Sequence, residues 1–270
     1  MDIKKLSIRA LSGLVYIALI IGCALWGIYP FTWMAAIFAT IAVIEFEKIT
    51  HELSPKTFPT LLLDIAGVIC LVFSWLFYPL LIWILIMICR MTMQLYSKSE
   101  SPIADLARSM MAQIYIGVPL CLMCLVAWLW NLHVVLGLFF MIWINDTGAF
   151  IVGSTLGKHR LFERISPKKS WEGFFGGLLF NLIAAFLFYK YCGDFFSLDG
   201  LSLAGWLGLG AIATVFSTWG DLVESMIKRN LHIKDSGNII PGHGGILDRI
   251  DSLLFVMPVA LVYLYLIALL

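Results

Sequence analysis

Charge is scarce in this sequence: 18 Lys and Arg and 17 Asp and Glu stand among 270 residues, 13% charged against 61% hydrophobic. A soluble domain of this length needs more polar surface, so a mean hydropathy of +0.95 excludes an ordinary globular protein. Gly-x-Gly-x-x-Gly turns and P-loops are missing, which removes two common soluble nucleotide-binding folds. There is no Ser/Gly-rich linker, low-complexity tract or repeat. One membrane domain over 1–270 is expected, with 1–140 mostly structural spans and 141–270 the catalytic half. The six cysteines all lie in or beside apolar runs and read as small buried hydrophobes. Cys121-Leu122-Met123-Cys124 has redox spacing but neither ligands nor a soluble βαβ context around it.

What is abundant is long apolar runs. Stretches of roughly 17 to 25 apolar residues mark transmembrane helices, and they fall near 9–28, 31–49, 60–77, 79–96, 109–130, 134–155, 173–192, 203–227 and 248–270. The fold class is therefore an all-α polytopic integral membrane protein with about nine spans. The third and fourth are divided only by Phe77-Tyr78-Pro79 and also read as one interrupted helix. Lys4 and Lys5 before an apolar run, with Ile20-Ile21-Gly22-Cys23 behind, mimic a cleavable leader, but further spans follow, so a retained first helix is expected. With nine spans, Lys4, Lys5, Lys48, Lys56, Lys98, Arg108, Lys158, Arg160, Arg164, Lys168, Lys169, Lys228, Arg229 and Lys234 share one side, and Lys190 clearly takes the other. The positive-inside rule makes that side cytoplasmic, with the N-terminus inside and the C-terminus outside a cell inner membrane.

Polar clusters concentrate after residue 145. Asn145-Asp146-Thr147-Gly148 sits inside an apolar span. A mid-membrane aspartate costs roughly 2.5–3.5 kcal/mol, so Asp146 needs a partner, water or a metal. Counting from Val134, it lies about 18 Å in, toward the cytoplasmic side. Asp221, Glu224, Ser225 and Lys228 recur at i, i+3, i+4 and i+7 and stripe one helix face. A snorkelling helix end would account for Lys228 and Arg229 but poorly for Asp221. Asp248 and Asp251 open the last span one turn apart with Arg249 between them, after Pro241-Gly242-His243-Gly244-Gly245. Two such carboxylates can share a hard cation; capping by Asp248 is the plainer alternative. His243 reads as structural or as a phosphate donor, and Gly244 and Gly245 can bare backbone N–H groups to phosphate. The cations of Lys158–Lys169 satisfy the topology rule unaided, yet beside the carboxylates they suit a polyphosphate clamp.

Three segments together bring a family into view: Ser225-x-Ile227-Lys228-Arg229, Lys234-Asp235-x-Gly237, and Ile240-Pro241-x-His243-Gly244-Gly245-Ile246-x-Asp248-Arg249-Ile250-Asp251. They resemble the signature of the phosphatidate cytidylyltransferases, or CDP-diacylglycerol synthases. Asn145-Asp146-Thr147-Gly148-Ala149 and Ile165–Gly173 are similar to family segments too, so the likeness covers roughly the second half. The resemblance implies an enzyme that turns CTP and phosphatidate into CDP-diacylglycerol and pyrophosphate. It implies Mg²⁺ as cofactor and allows a second, monovalent cation and a homodimer; no nucleic acid partner is expected. By motif position Asp221 and Asp248 are the metal ligands, with Asp251 and Asp146 in support. Lys228, Arg229, Arg249, Lys168 and Lys169 are assigned to phosphate, with His243, Gly244 and Gly245, and Asp221, Asp248, Lys228 and Arg249 count as catalytic. A CDP-alcohol phosphotransferase would instead show an Asp-Gly-x-x-Ala-Arg run, which is missing here. A secondary transporter would place its ionisable groups at the midplane.

The lysine and arginine census is testable by itself. A reporter fused after Leu270 is expected outside the cytoplasm, and one inserted in the 156–172 loop inside. Both on one side would remove the nine-span arrangement.

Overall fold

The computed structural model describes residues 3–50, 58–196, 198, 201–242 and 244–269; Lys56, His243 and Leu270 lie outside the described residues. Two apolar helices, α1 (Ile3–Trp26) and α2 (Ile28–Ile49), open the chain. They are parted by Gly27 at φ 132°, a backbone region that favours glycine. The helix α3 (Phe58–Val72) has 15 residues and rises about 22 Å, short of the roughly 30 Å hydrocarbon core. Phe77, at φ 67°, and Pro79 in the following first turn start α4 (Tyr78–Leu95). The Phe77-Tyr78-Pro79 punctuation thus separates two helices rather than interrupting one. Next, α5 (Pro102–Ala112) and α6 (Val118–Leu129) run through a widened, π-helical turn at Gln113–Gly117 as one rod of 28 residues.

The chain continues as α7 (Leu132–Leu156), the strands β1 (Arg160–Phe162) and β2 (Ser166–Ser170), α8 (Trp171–Tyr191), the short α9 (Gly193–Phe196), α10 (Leu203–Asn230) and α11 (Leu247–Ala268). Side-chain caps start three of these: Asn131 accepts from His133 N–H at 2.6 Å, Ser170 from Gly173 N–H at 3.1 Å and Ser202 from Gly205 N–H at 3.2 Å. Among the described residues eight helices are long and apolar enough to cross a membrane, and α3 is a shorter apolar helix at the third expected span. The protein is an all-α polytopic membrane protein. Two expectations change. The 156–172 connection is an antiparallel hairpin, Arg160 opposite Ser170 and Phe162 opposite Ser166. Arg108, counted among loop cations, is buried inside α5.

Two compact units form, Met1–Trp128 with Asp235–Arg249 and Leu129–Lys234 with Ile250–Leu270. The first unit holds a buried polar network between α3, α4 and α5. Arg90, 1% exposed, donates to Ser109 Oγ at 3.1 Å and Gln94 Oε1 at 2.8 Å, with Asp64 Oδ1 at 3.8 Å from its Nε. Ser109 also bonds Asp64, and Gln94 passes the chain to Asp105, which pairs with Arg108 at 3.2 Å. Within the second unit, α7 and α8 meet through small residues. A Cβ on Gly173 would stand 3.0 Å from the Ala149 carbonyl and 3.2 Å from Gly153 Cα. Such close approach is how membrane helices gain contact where no hydrophobic drive acts between them. Polar bonds add to it: Asn181 Nδ2 donates to Thr214 Oγ1 at 2.9 Å, joining α8 to α10, and Tyr263 donates to the Gly205 carbonyl at 3.1 Å, joining α11 to α10.

Removing one member of the Arg90 network leaves an uncompensated buried charge. Asp64→Ala is expected to destabilise the protein by about 3–5 kcal/mol, read as a lowered thermal midpoint in detergent. An Asp64→Leu/Arg90→Leu double variant should recover much of that loss, and an unchanged midpoint in the single variant would refute the network's structural role.

Candidate active site

In the second unit, a cleft of about 600 Å³ opens beside α7, the β hairpin and α10, lined by Asp146, Arg160, Lys168, Lys169 and Asp221 among others. The hairpin delivers its two lysines because β2 runs straight into the Ser170 cap of α8. Its base is clamped by Glu172, whose carboxylate accepts from the N–H groups of Lys158 at 3.1 Å and His159 at 3.2 Å and contacts His159 Nδ1 at 2.6 Å. Across the cleft, Lys169 Nζ makes an ion pair with Asp221 Oδ2 at 2.7 Å and donates to the Thr218 carbonyl at 3.3 Å. Ser225 donates to Asp221 Oδ1 at 3.2 Å, as the helical i, i+4 spacing requires.

The carboxylate of Asp251 has Asp221, Asp146 and Lys228 as electrostatic neighbours. It is brought there by a close crossing of α10 on α11: a Cβ on Gly220 would stand 3.0 Å from Ser252 Cα, and Ser252 donates to the Ser217 carbonyl at 3.2 Å. Ser217 Oγ in turn accepts from Asn145 at 2.9 Å, tying the α7 stretch that carries Asp146 to α10. Three of the four carboxylates expected to serve a metal are thus gathered within one unit. Their oxygens are hard donors of the kind that suit Mg²⁺. Among the described residues, no group of three or more His, Cys, Asp or Glu side chains is arranged to hold a metal ion. What fits a divalent cation here is the donor chemistry, carboxylate oxygens.

The fourth carboxylate, Asp248, belongs to the first unit and organises the loop before α11. Its Oδ2 accepts from Ser236 N–H at 2.9 Å, Ser236 Oγ at 3.0 Å and Gly245 N–H at 2.8 Å. Gly244 adopts φ +82° and its carbonyl accepts from Ile240 N–H at 3.0 Å. The N–H groups of Gly245, Ile246 and Leu247 are therefore taken up by carboxylates of the protein itself. Ile246 and Leu247 donate to Glu45 of α2, a residue the sequence reading passed over because its span looks merely apolar. Among the expected phosphate ligands, Lys228 pairs with the buried Glu224, Arg229 is exposed and donates to the Ile233 carbonyl at 3.2 Å, and Arg249 is exposed. Arg249 takes part through its carbonyl, which accepts from Tyr16 at 3.2 Å.

A model of the family described as "Cytidylyltransferase family" matches residues 7–267. The chain belongs to the cytidylyltransferase family. Proteins named phosphatidate cytidylyltransferase are similar to it: one from Staphylococcus aureus (strain COL) is 48% identical over 128 residues, 47% of each chain. Another, from Staphylococcus saprophyticus, is 41% identical over 169 residues, 60% of each. A third, from Staphylococcus haemolyticus, is 48% identical over 130 residues, again 47% of each. The matches thus span about half to three fifths of these relatives' length.

Proposed function

We propose that this protein is a CTP:phosphatidate cytidylyltransferase of the bacterial cell membrane, working on its cytoplasmic face. The observation that carries the reading is the cleft in which Lys169 bridges to Asp221 beside Lys168 and Arg160: cations for phosphate interleaved with carboxylates suited to a metal. Membership of the family and the names of its relatives support the same substrates. Phosphatidate already carries an anionic oxygen near neutral pH, so no serine, cysteine or histidine nucleophile is required. That oxygen attacks the α-phosphorus of CTP, a new P–O bond forms, and the bond to pyrophosphate breaks.

In this proposal the residues supply proximity and charge neutralisation. Asp221 and Asp248 are assigned to Mg²⁺ with Asp251 and Asp146 in support, and a second, monovalent cation is an optional companion. The divalent ion, when bound, would neutralise charge on the departing pyrophosphate. Lys169 is poised to exchange its Asp221 partner for a phosphate oxygen, and Lys168 and Arg160 line the same cleft. Lys228, Arg229 and Arg249 remain further phosphate ligands of the proposal, as do Gly244 and His243. Gly245 takes part through its place in the Asp248 loop, because its N–H is already bonded there. The proposed partners are CTP, phosphatidate and the surrounding lipid, with a homodimer as the assembly to test.

Asp221→Asn keeps volume and removes charge. It is expected to abolish metal-dependent release of pyrophosphate from CTP plus phosphatidate while the protein still folds and inserts. Near-normal turnover at saturating Mg²⁺ would show the metal site to be misplaced.

The two hairpin lysines should differ. Lys169→Gln is expected to lower kcat/KM by at least tenfold, about 1.4 kcal/mol, and Lys168→Gln by less, since Lys169 makes the contact with Asp221. Equal wild-type kinetics for both variants, in correctly oriented protein, would return the hairpin to a purely topological role.

A further inference from the structure

The half of the chain that reads as plain membrane spans contains one carboxylate aimed at the signature loop. Glu45, on α2, is 4% exposed. Its Oε1 accepts from Ile246 N–H at 3.1 Å, and its Oε2 from Leu247 N–H at 2.9 Å and Ser236 Oγ at 3.3 Å. The first N–H groups of a helix have no partner within it, and the residue before α11 is Ile246, whose side chain offers no acceptor. Glu45 fills that role from 201 and 202 residues away, and its negative charge also faces the positive end of α11. A buried carboxylate accepting several N–H and O–H bonds is held in one place.

The loop is shaped around this side chain. A Cβ on Gly237 or on Gly245 would run into the Glu45 carboxylate, so both positions need glycine for space rather than for an unusual φ. Ser236 then links Glu45 to Asp248: its hydroxyl lies 3.3 Å from Glu45 Oε2 and 3.0 Å from Asp248 Oδ2, while its N–H donates to the same Asp248 oxygen at 2.9 Å. From these contacts we infer that Glu45 is a positioning residue for the reaction. It sets the 235–248 loop, and through Ser236 and the start of α11 it sets the direction of the Asp248 carboxylate. The inference rests on the proposed cytidylyl transfer for its consequence, although the tether itself is geometric.

The test compares wild-type enzyme with Glu45→Gln, Glu45→Asp and Ser236→Ala, each purified and quantified as folded protein. Glu45→Gln turns one acceptor into an NH₂ group that faces N–H donors. It is expected to lower kcat per folded molecule at least tenfold and to raise the Mg²⁺ concentration for half-maximal rate, with KM for phosphatidate within twofold. Glu45→Asp, which keeps the charge on a shorter stem, should recover part of that kcat. In the protein without nucleotide or Mg²⁺, the amides of Ile246 and Leu247 should exchange hydrogen faster in Glu45→Gln, while those of Leu253–Leu264 keep wild-type rates. A general rise in exchange with unchanged kcat per folded molecule would overturn the inference and leave Glu45 as a stability residue. If Glu45→Gln does not fold, Ser236→Ala decides: a kcat within twofold of wild type overturns the inference, and a tenfold loss supports it. Wild-type enzyme that releases no pyrophosphate from CTP plus phosphatidate would instead refute the proposed function and take the positioning role with it; the exchange data would still report the tether.

Discussion

Hydrocarbon does not solvate charge, and most of the order in this protein follows from that. An ionisable side chain on a spanning helix must find a partner inside the protein or reach the interface. Arg90 meets Ser109, Gln94 and Asp64; Glu45 meets three donors from the loop before α11; Glu224 meets Lys228. The first two arrangements fix one helix or loop against another with far less freedom than apolar packing allows, because hydrogen bonds carry direction and van der Waals contacts between leucines do not; the third pairs two turns of α10.

Glycine supplies the complementary device. Gly153 and Gly173 let α7 and α8 approach until backbone meets backbone, and Gly220 lets α10 approach α11 beside Asp251. With these crossings, the carboxylates of Asp146, Asp221 and Asp251 become electrostatic neighbours in the second unit, next to lysines carried on a hairpin that Glu172 clamps. The loop glycines act differently. Gly244 is there for its positive φ, whereas Gly237 and Gly245 make room for the Glu45 carboxylate.

Much of the architecture was legible in the sequence. Apolar run length located the helices, since spanning a bilayer demands it, and Phe77-Tyr78-Pro79 marked a true break. The 225–251 signature and the 145–149 and 165–173 segments pointed to the family to which the chain belongs. Less legible was anything that depends on a distant partner. Arg108 looked like a loop cation because the apolar run was read as starting at residue 109, whereas it lies inside α5, buried and bonded to Asp105 and Thr50. That Lys228, expected at phosphate, pairs with a Glu224 buried by other helices was not legible either. The hairpin at 160–170 is too short for a strand period to emerge from its charges.

What the sequence by itself determined was a polytopic helical membrane protein of one family, because hydropathy and motif spacing are local quantities. The tertiary structure alone decided which charges meet. Lys169 with Asp221, 52 positions apart, and Glu45 with Leu247 N–H at the start of α11, 202 positions apart, are such meetings. No local pattern encodes such a meeting; it depends on how closely helix backbones approach and on the low-dielectric interior that makes an unpaired charge too costly to leave alone.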